Sequence, residues 1–286
     1  MEAGATTRDG PPRAARYRRP FEPVAWMREL VAARGLVGAL TLRDLQARYK
    51  HAFLGAAWAL LVPLGMMAVF DVVFSRVAVV DTGGVPYPVF AYVGILVWTF
   101  FATSVSQASQ SILTNAQLLN RVYFPREVFP LASVGVAAFD TIVALPALVV
   151  LVLLTGADVS FSATTLPAIA VLLAVLLAWT TGVALIVSFL VVYVRDVRHV
   201  LPIALQLGII VTPVAYAFAT ISQHASGWYA LVNPLAPVID GLRRVLLDDA
   251  SPQWGLVALA AISSAVVLVA GYLAFKHSET GLADIA

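Results

Sequence analysis

Long stretches of this chain carry no charge at all, and that restricts the fold more than any motif does. No Asp, Glu, Lys or Arg occurs in 51–70, 82–120, 159–194, 199–239 or 250–275. Between Val128 and Ala157 the single charge is Asp140. A helix needs about 20 mostly apolar residues to cross the hydrocarbon core of a bilayer, and every one of the five uncharged runs is long enough. The period-two alternation of a transmembrane barrel is missing. These runs define an all-α, polytopic membrane protein. Composition closes the alternative: only 12% of the residues are charged, against about 25% in a soluble domain. That is too little charge to cover a water-soluble fold of 286 residues, so an ordinary soluble enzyme is excluded.

Six spans fit the pattern, at 52–75, 88–112, 128–154, 166–193, 200–220 and 254–275. The organisation expected is an N-terminal segment 1–50, a transmembrane domain 51–275 and a tail 276–286. Six spans put both termini on one side, and Lys and Arg identify that side. Fifteen of the 18 basic residues fall in the first 50 residues, the loops after spans two and four, and the tail. Arg76, Arg243 and Arg244 are the three on the other side. Both termini are therefore expected in the cytoplasm, with the chain in the cytoplasmic (inner) membrane.

Within the N-terminal segment, 23–40 has apolar residues at helical spacing, with Trp26, Leu30, Val37 and Leu40 set around Arg28, Glu29 and Arg34. The spacing predicts an amphipathic helix lying on the inner membrane face, or else packed on another protein. The stretch 234–247, PLAPVIDGLRRVLL, is apolar but too short to cross. It predicts one or two short re-entrant helices between spans five and six.

Several chemistries are missing. There is no cysteine, and the only lysines, Lys50 and Lys276, are each followed by His, so no Gly-Lys-Ser/Thr phosphate loop exists. The four histidines lack metal-ligand spacing, and no metal site is expected. No catalytic residues converge. Inside the spans the carboxylates are Asp71 and Asp140. Asp140 falls near the middle of span three, where a carboxylate is costly and should face the bundle interior or a watery cavity. Two readings stand: a pore or proton-coupling group, or a carboxyl hydrogen-bonded to a neighbouring helix. No intramembrane cation is evident beside it.

Span two ends in Ser104, Gln107 and further hydroxyl and amide residues, which would be unfavourable against lipid. Tyr92, Trp98, Phe100 and Phe101 precede them. Aromatic faces suit sliding contact with sugar rings. The same residues also suit core packing or an interfacial belt.

Four segments in order resemble one family, the permease subunits of type-2 ABC exporters that move polysaccharides such as O-antigen, teichoic acid, capsule and galactan. They are RDLQARYKHAFLGAAWALLVPL at 43–64, NRVYFPREVFPL at 120–131, VYVRDVRHVLP at 192–202 and NPLAPVIDGLRRVLL at 233–247. The tail, FKHSETGLADIA, is similar to that family's ending. Thr212-Pro213 departs from the family's usual Ser-Pro while keeping hydroxyl and proline.

The resemblance implies a non-enzymatic transport subunit that works as two copies with two separate nucleotide-binding ATPase subunits. ATP and Mg would be bound by that partner and no cofactor by this chain. The cargo implied is a lipid-linked glycan, with membrane lipids around the complex and no nucleic acid. It also implies a coupling helix after span two, assigned to Asn115, Leu118, Leu119, Arg121, Val122, Phe124 and Arg126, which docks on the ATPase. Trp26, Arg28, Glu29 and Leu30 would belong to an interface helix, and Arg43, Arg48 and Arg195 would contact the lipid's pyrophosphate. Tyr92, Trp98, Phe100, Phe101, Ser104, Gln107 and Asp140 would line the glycan path. The alternatives weighed against it are a type-2 ABC exporter of a drug or lipid, a membrane-embedded transferase, and a proton-coupled carrier.

Overall fold

Helix length and apolar content sort this chain into spanning and non-spanning elements. The computed structural model describes residues 28–29, 31–50, 54–76, 80, 82–119, 125–157, 159, 164–220 and 223–285, and among them there are helices and turns but no strand. The helices are α1 (Arg34–Tyr49), α2 (Ala57–Arg76), α3 (Tyr87–Thr114), α4 (Ala116–Leu119), α5 (Val128–Thr155), α6 (Thr165–Tyr193), α7 (Val197–Val211), α8 (Gln223–Val232), α9 (Leu235–Leu247) and α10 (Trp254–Ile285). Five of them, α2, α3, α5, α6 and α10, are long and apolar enough to cross a membrane. The chain is an all-helical, multi-pass membrane protein.

The central element is α3. Its face from Val89 to Trp98 is almost wholly enclosed by α2, α5, α6, α7 and α9. In lipid the hydrophobic effect does not drive helices together, so close packing and polar contacts must do so. The most extensive contact, between α6 and α10, shows how. A Cβ on Gly182 would come within 2.7 Å of the Leu268 nitrogen, and one on Gly271 within 2.6 Å of the Gly182 carbonyl. Only glycine at both positions lets the two backbones meet.

At the fifth expected span, 200–220, the helix begins and ends earlier than expected. The helix there, α7, covers Val197–Val211, 15 residues, or about 22 Å at 1.5 Å per residue. It stops because Thr212 is extended (ψ 137°), the conformation a following proline imposes, and Pro213 has no N–H with which to continue. The chain then turns through a short 3-10 segment, Phe218–Thr220, into α8 and α9. The short helix expected at 234–247 is α9, Leu235–Leu247. It packs against α3, α6 and α10.

A helix broken inside an apolar bundle leaves carbonyls that water cannot reach. Arg243 of α9, 4% exposed, supplies their donors. Its guanidinium donates to the carbonyls of Pro213 (2.9 Å), Tyr216 (3.2 Å) and Val214, and to Phe90 of α3 (3.0 Å). Its carbon lies 3.6 Å from the centre of the Phe90 ring. Gly94 makes the approach possible, since a Cβ there would be 2.7 Å from the guanidinium. The Tyr216 hydroxyl donates to the Val211 carbonyl at 2.6 Å, and the Tyr229 hydroxyl donates to it as well. Asn233 donates to the Thr212 hydroxyl at 2.9 Å.

Replacing Arg243 with Leu leaves four carbonyls without this donor, at a cost of about 1–3 kcal/mol for each one left unsatisfied. The unfolding temperature of Arg243→Leu in detergent should fall well below that of the exposed control Arg28→Leu. Equal unfolding temperatures would contradict this account of the break.

Candidate functional site at the basic end of the bundle

Among the described residues, Arg126, Arg195 and Lys276 lie at the end of the bundle where α3 finishes and α5 begins. This end is built on α1. Leu36, Val37 and Leu40 pack on Val128, Phe129 and Ala132 at the start of α5. One turn on, Thr41 fits against Gly135, where a Cβ would meet its hydroxyl at 2.7 Å. Of the helix expected at 23–40, the part from Arg34 on belongs to α1, which extends to Tyr49 and runs along the first half of α5. Its apolar side chains find a protein face there. Arg28 and Glu29 are helical, Arg28 being exposed, while Trp26 and Leu30 lie outside the described residues.

At the far end of α1, Arg48 donates to the Asp140 carboxylate at 2.6 Å and the Tyr49 hydroxyl donates to its other oxygen at 2.5 Å. With its amide oxygen turned toward α1, Gln107 of α3 accepts from Arg48 at 2.6 Å. Asp140 thus has the cation that its position in the sequence did not reveal. The 20 residues of α2 measure about 30 Å, the thickness of a bilayer core. The first residues of α2, Trp58 and Ala59, share a cavity with Asp140. Asp140 therefore lies beside the first turns of α2, and the Val128 end of α5 runs on beside α1.

That cavity measures about 370 Å³ and is lined by Arg48, Tyr49, Trp58, Thr99, Thr103 and Asp140, among others. It offers a guanidinium, a carboxylate, hydroxyls and a half-exposed indole. Burial, followed by the hydrogen bond to Asp140, pushes the Tyr49 hydroxyl up from 10.0 to about 12. A raised pKa favours the neutral phenol in the folded state. Its stabilising contribution is thus complete below pH 10.0 and is lost as pH rises through about 12. Tyr49 remains a neutral donor at any physiological pH.

The other candidate path residues lie in the core of α3. Tyr92 is fully buried, with its hydroxyl donating to the Ala144 carbonyl at 2.9 Å. Trp98 packs on Gly208 and, at 5.6 Å between ring centres, on Phe101. Phe100 lines a separate apolar cavity of about 600 Å³ between α3, α5, α6 and α9. Ser104 is buried. Of the seven, Gln107 and Asp140 join the polar cluster. Thr103, one of the hydroxyl residues at the end of span two, lines the cavity, while Trp58 and Thr99 were missed because nothing in their spacing separates them from lipid-facing neighbours.

Arg43 donates to the Asn115 side chain at 2.9 Å and pairs with Asp44 at 2.7 Å. Asn115 in turn donates to the Ser111 carbonyl at 2.8 Å, so α1 is fastened to the turn that begins α4. On α4, Leu118 is exposed. The Leu119 side chain, Arg121, Val122 and Phe124 lie outside the described residues. Arg126 is half-buried beside Glu127, and Arg195 is exposed on the turn between α6 and α7. A further pair went unseen in the sequence: Glu127 and Lys276, both buried, lie 2.9 Å apart and tie the start of α5 to α10.

The Arg48–Asp140 pair is testable by a double-mutant cycle. Arg48 is partly exposed, so solvent screens the pair and a coupling of about 1 kcal/mol is expected. Arg48→Gln and Asp140→Asn together should therefore cost less in thermal stability than the sum of the two. Strict additivity would show that the contact carries no energy.

Comparison with known proteins adds relatives of the whole bundle. Residues 35–247 match the family described as ABC-2 type transporter. The chain is 32% identical to the O-antigen export system permease protein RfbA of Myxococcus xanthus, over 88% of this chain and 96% of that one. It is 28% identical to the O-antigen export system permease protein RfbA of Klebsiella pneumoniae, over 87% and 94%. It is also 22% identical to the polysialic acid transport protein KpsM of Escherichia coli, over 86% and 94%.

Proposed function

The chain belongs to the ABC-2 type transporter family, and from that membership we propose that it is the permease subunit of an ATP-driven exporter of lipid-linked polysaccharide. The observation that carries the substrate class is the likeness, over nearly the full length, to proteins named for O-antigen export and polysialic acid transport. The chain has no phosphate loop of its own, so its energy comes from two separate ATPase subunits that bind ATP and Mg. Two copies of the chain form the conduit in the cytoplasmic membrane, with both termini and the basic end in the cytoplasm.

The mechanical logic follows from the contacts at that end. The ATPases dock on the segment from Asn115 to Arg126, where Leu118 offers exposed apolar surface that favours a partner. Leu119, Arg121, Val122 and Phe124 extend the same docking face, and Trp26, Arg28, Glu29 and Leu30 add a second contact. A pull on this segment reaches α1 through Asn115 and Arg43, and reaches α5 and α3 through Arg48, Asp140 and Gln107. The conduit forms where α2 and α7 expose most of their length.

The glycan's pyrophosphate meets Arg43, Arg48 and Arg195 as it leaves the inner leaflet. Arg43 and Arg48 already hold protein partners, but a guanidinium has five donors and can share them. The polymer then passes the cavity of Trp58, Thr99, Thr103 and Asp140, with Tyr92, Trp98, Phe100, Phe101 and Ser104 as the rigid wall behind it. At the opposite end α8 and α9 re-enter the outer leaflet without crossing.

Replacing Leu118 and Leu119 together with Asp puts two charges into the docking face. The variant should reach the membrane in normal amount, fail to co-purify with its ATPase and lose export. Normal co-purification and export would remove the docking assignment.

A further inference from the structure

We infer that the end of the bundle opposite the basic loops carries a sugar-binding subsite, built from the turn between α9 and α10 and the start of α6. The inference rests on the polysaccharide reading above and assigns that cargo a contact which neither the relatives nor the sequence motifs indicate. A small cavity of about 170 Å³ lies there, lined by Thr164, Thr165, Asp249, Ser251, Pro252 and Trp254, among others.

Three features of the cavity favour a pyranose ring. Trp254 is 48% exposed and presents an indole, on which the C–H face of a sugar can stack. The exposed Ser251 hydroxyl can both donate to and accept from sugar hydroxyls. Asp249 adds a carboxylate, an acceptor for two of them.

The backbone at Asp249 gives the carboxylate its significance. Its φ of +47° is the only positive value at a non-glycine residue among the described residues. It closes the end of α9, where the Ala250 N–H donates to the Arg244 carbonyl at 3.0 Å. Glycine is the usual occupant of such a position, and a side chain there is held against a conformational cost. That side chain is exposed and makes no hydrogen bond or ion pair among the described residues. Its neighbour Asp240, by contrast, is taken up by Arg244 at 2.7 Å. A tryptophan in an interfacial belt needs no rigid carboxylate beside it, whereas a sugar site uses both. A metal is disfavoured, since no three acidic or histidine side chains gather among the described residues.

The test uses the full export complex in a strain deleted for this gene and complemented with variants. Asp249→Gly removes the carboxylate and relieves the backbone, so it should fold at least as well as the parent. Trp254→Ala removes the ring and Trp254→Phe keeps an aromatic face. The probe is the oligosaccharide released by mild acid from the parent strain's own surface polymer. Saturation-transfer NMR on the complex in nanodiscs measures its binding. Asp249→Gly and Trp254→Ala should lose the transfer signal and lower surface polymer several-fold at unchanged protein level and unstimulated ATPase rate, while Trp254→Phe retains both. Full binding and full export by Asp249→Gly and Trp254→Ala would overturn the subsite and leave the export reading intact. A deletion strain that keeps its surface polymer would overturn the export reading itself.

Discussion

Inside a bilayer no backbone carbonyl can turn to water, and the position of Arg243 is the answer to that constraint. Pro213 ends α7 partway through the bundle and frees carbonyls there. One buried guanidinium, reaching from α9, collects those of Pro213, Val214 and Tyr216 and also binds the Phe90 carbonyl of α3. A lysine could not substitute, because its point charge lacks the planar fork that serves several acceptors at once. The arrangement fixes α9 against α3 and lets a chain with a broken helix remain close-packed. It also separates the two ends: the half holding α8 and α9 is built on irregular backbone, and the other half on long continuous helices.

At the opposite end the organising element is α1, a polar helix fastened to the start of α5 by Leu40 and Thr41. It carries two arginines that reach in different directions. Arg43 holds Asn115, at the turn into the exposed α4, and Arg48 holds Asp140 in the body of the bundle. Side-chain contacts thus connect the turn into α4, through α1, to α3 and α5. Glu127 and Lys276 make a second such connection, from the residue after Arg126 to α10. A buried ion pair is seldom retained for stability alone, and its place directly beyond the proposed docking segment suits a rigid link.

The spans were readable because charge-free length is a local property: α3 and α6 fall wholly within runs that lack charge, α2 and α10 begin in such runs, and α5 carries Asp140 as its one charge. The end of α7 was less so, although Thr212-Pro213 stood in plain view. A proline inside a membrane helix can bend it or stop it, and only the donors of Arg243, 30 residues away from Pro213, make stopping affordable. The partner of Asp140 was hidden for the same reason, since Arg48 lies 92 residues earlier. Tyr92, Trp98 and Phe101 show the limit of residue type as a guide. Aromatic rings that suit a sugar path are equally good packing groups, and at the centre of α3 they pack. In the proposed docking segment Leu118 is exposed, while the side chains of Leu119, Val122 and Phe124 lie outside the described residues.

The account stands or falls on ATP-driven passage of a lipid-linked glycan. The direct measurement uses inverted membrane vesicles containing this chain and its ATPase, loaded with lipid-linked polymer on the outer face, with ATP added and the glycan assayed by a lectin that cannot cross the membrane. Loss of lectin-accessible glycan that requires both ATP and the ATPase subunit is the predicted result. Passage that proceeds without the ATPase, or none at all when both proteins and ATP are present, would contradict it.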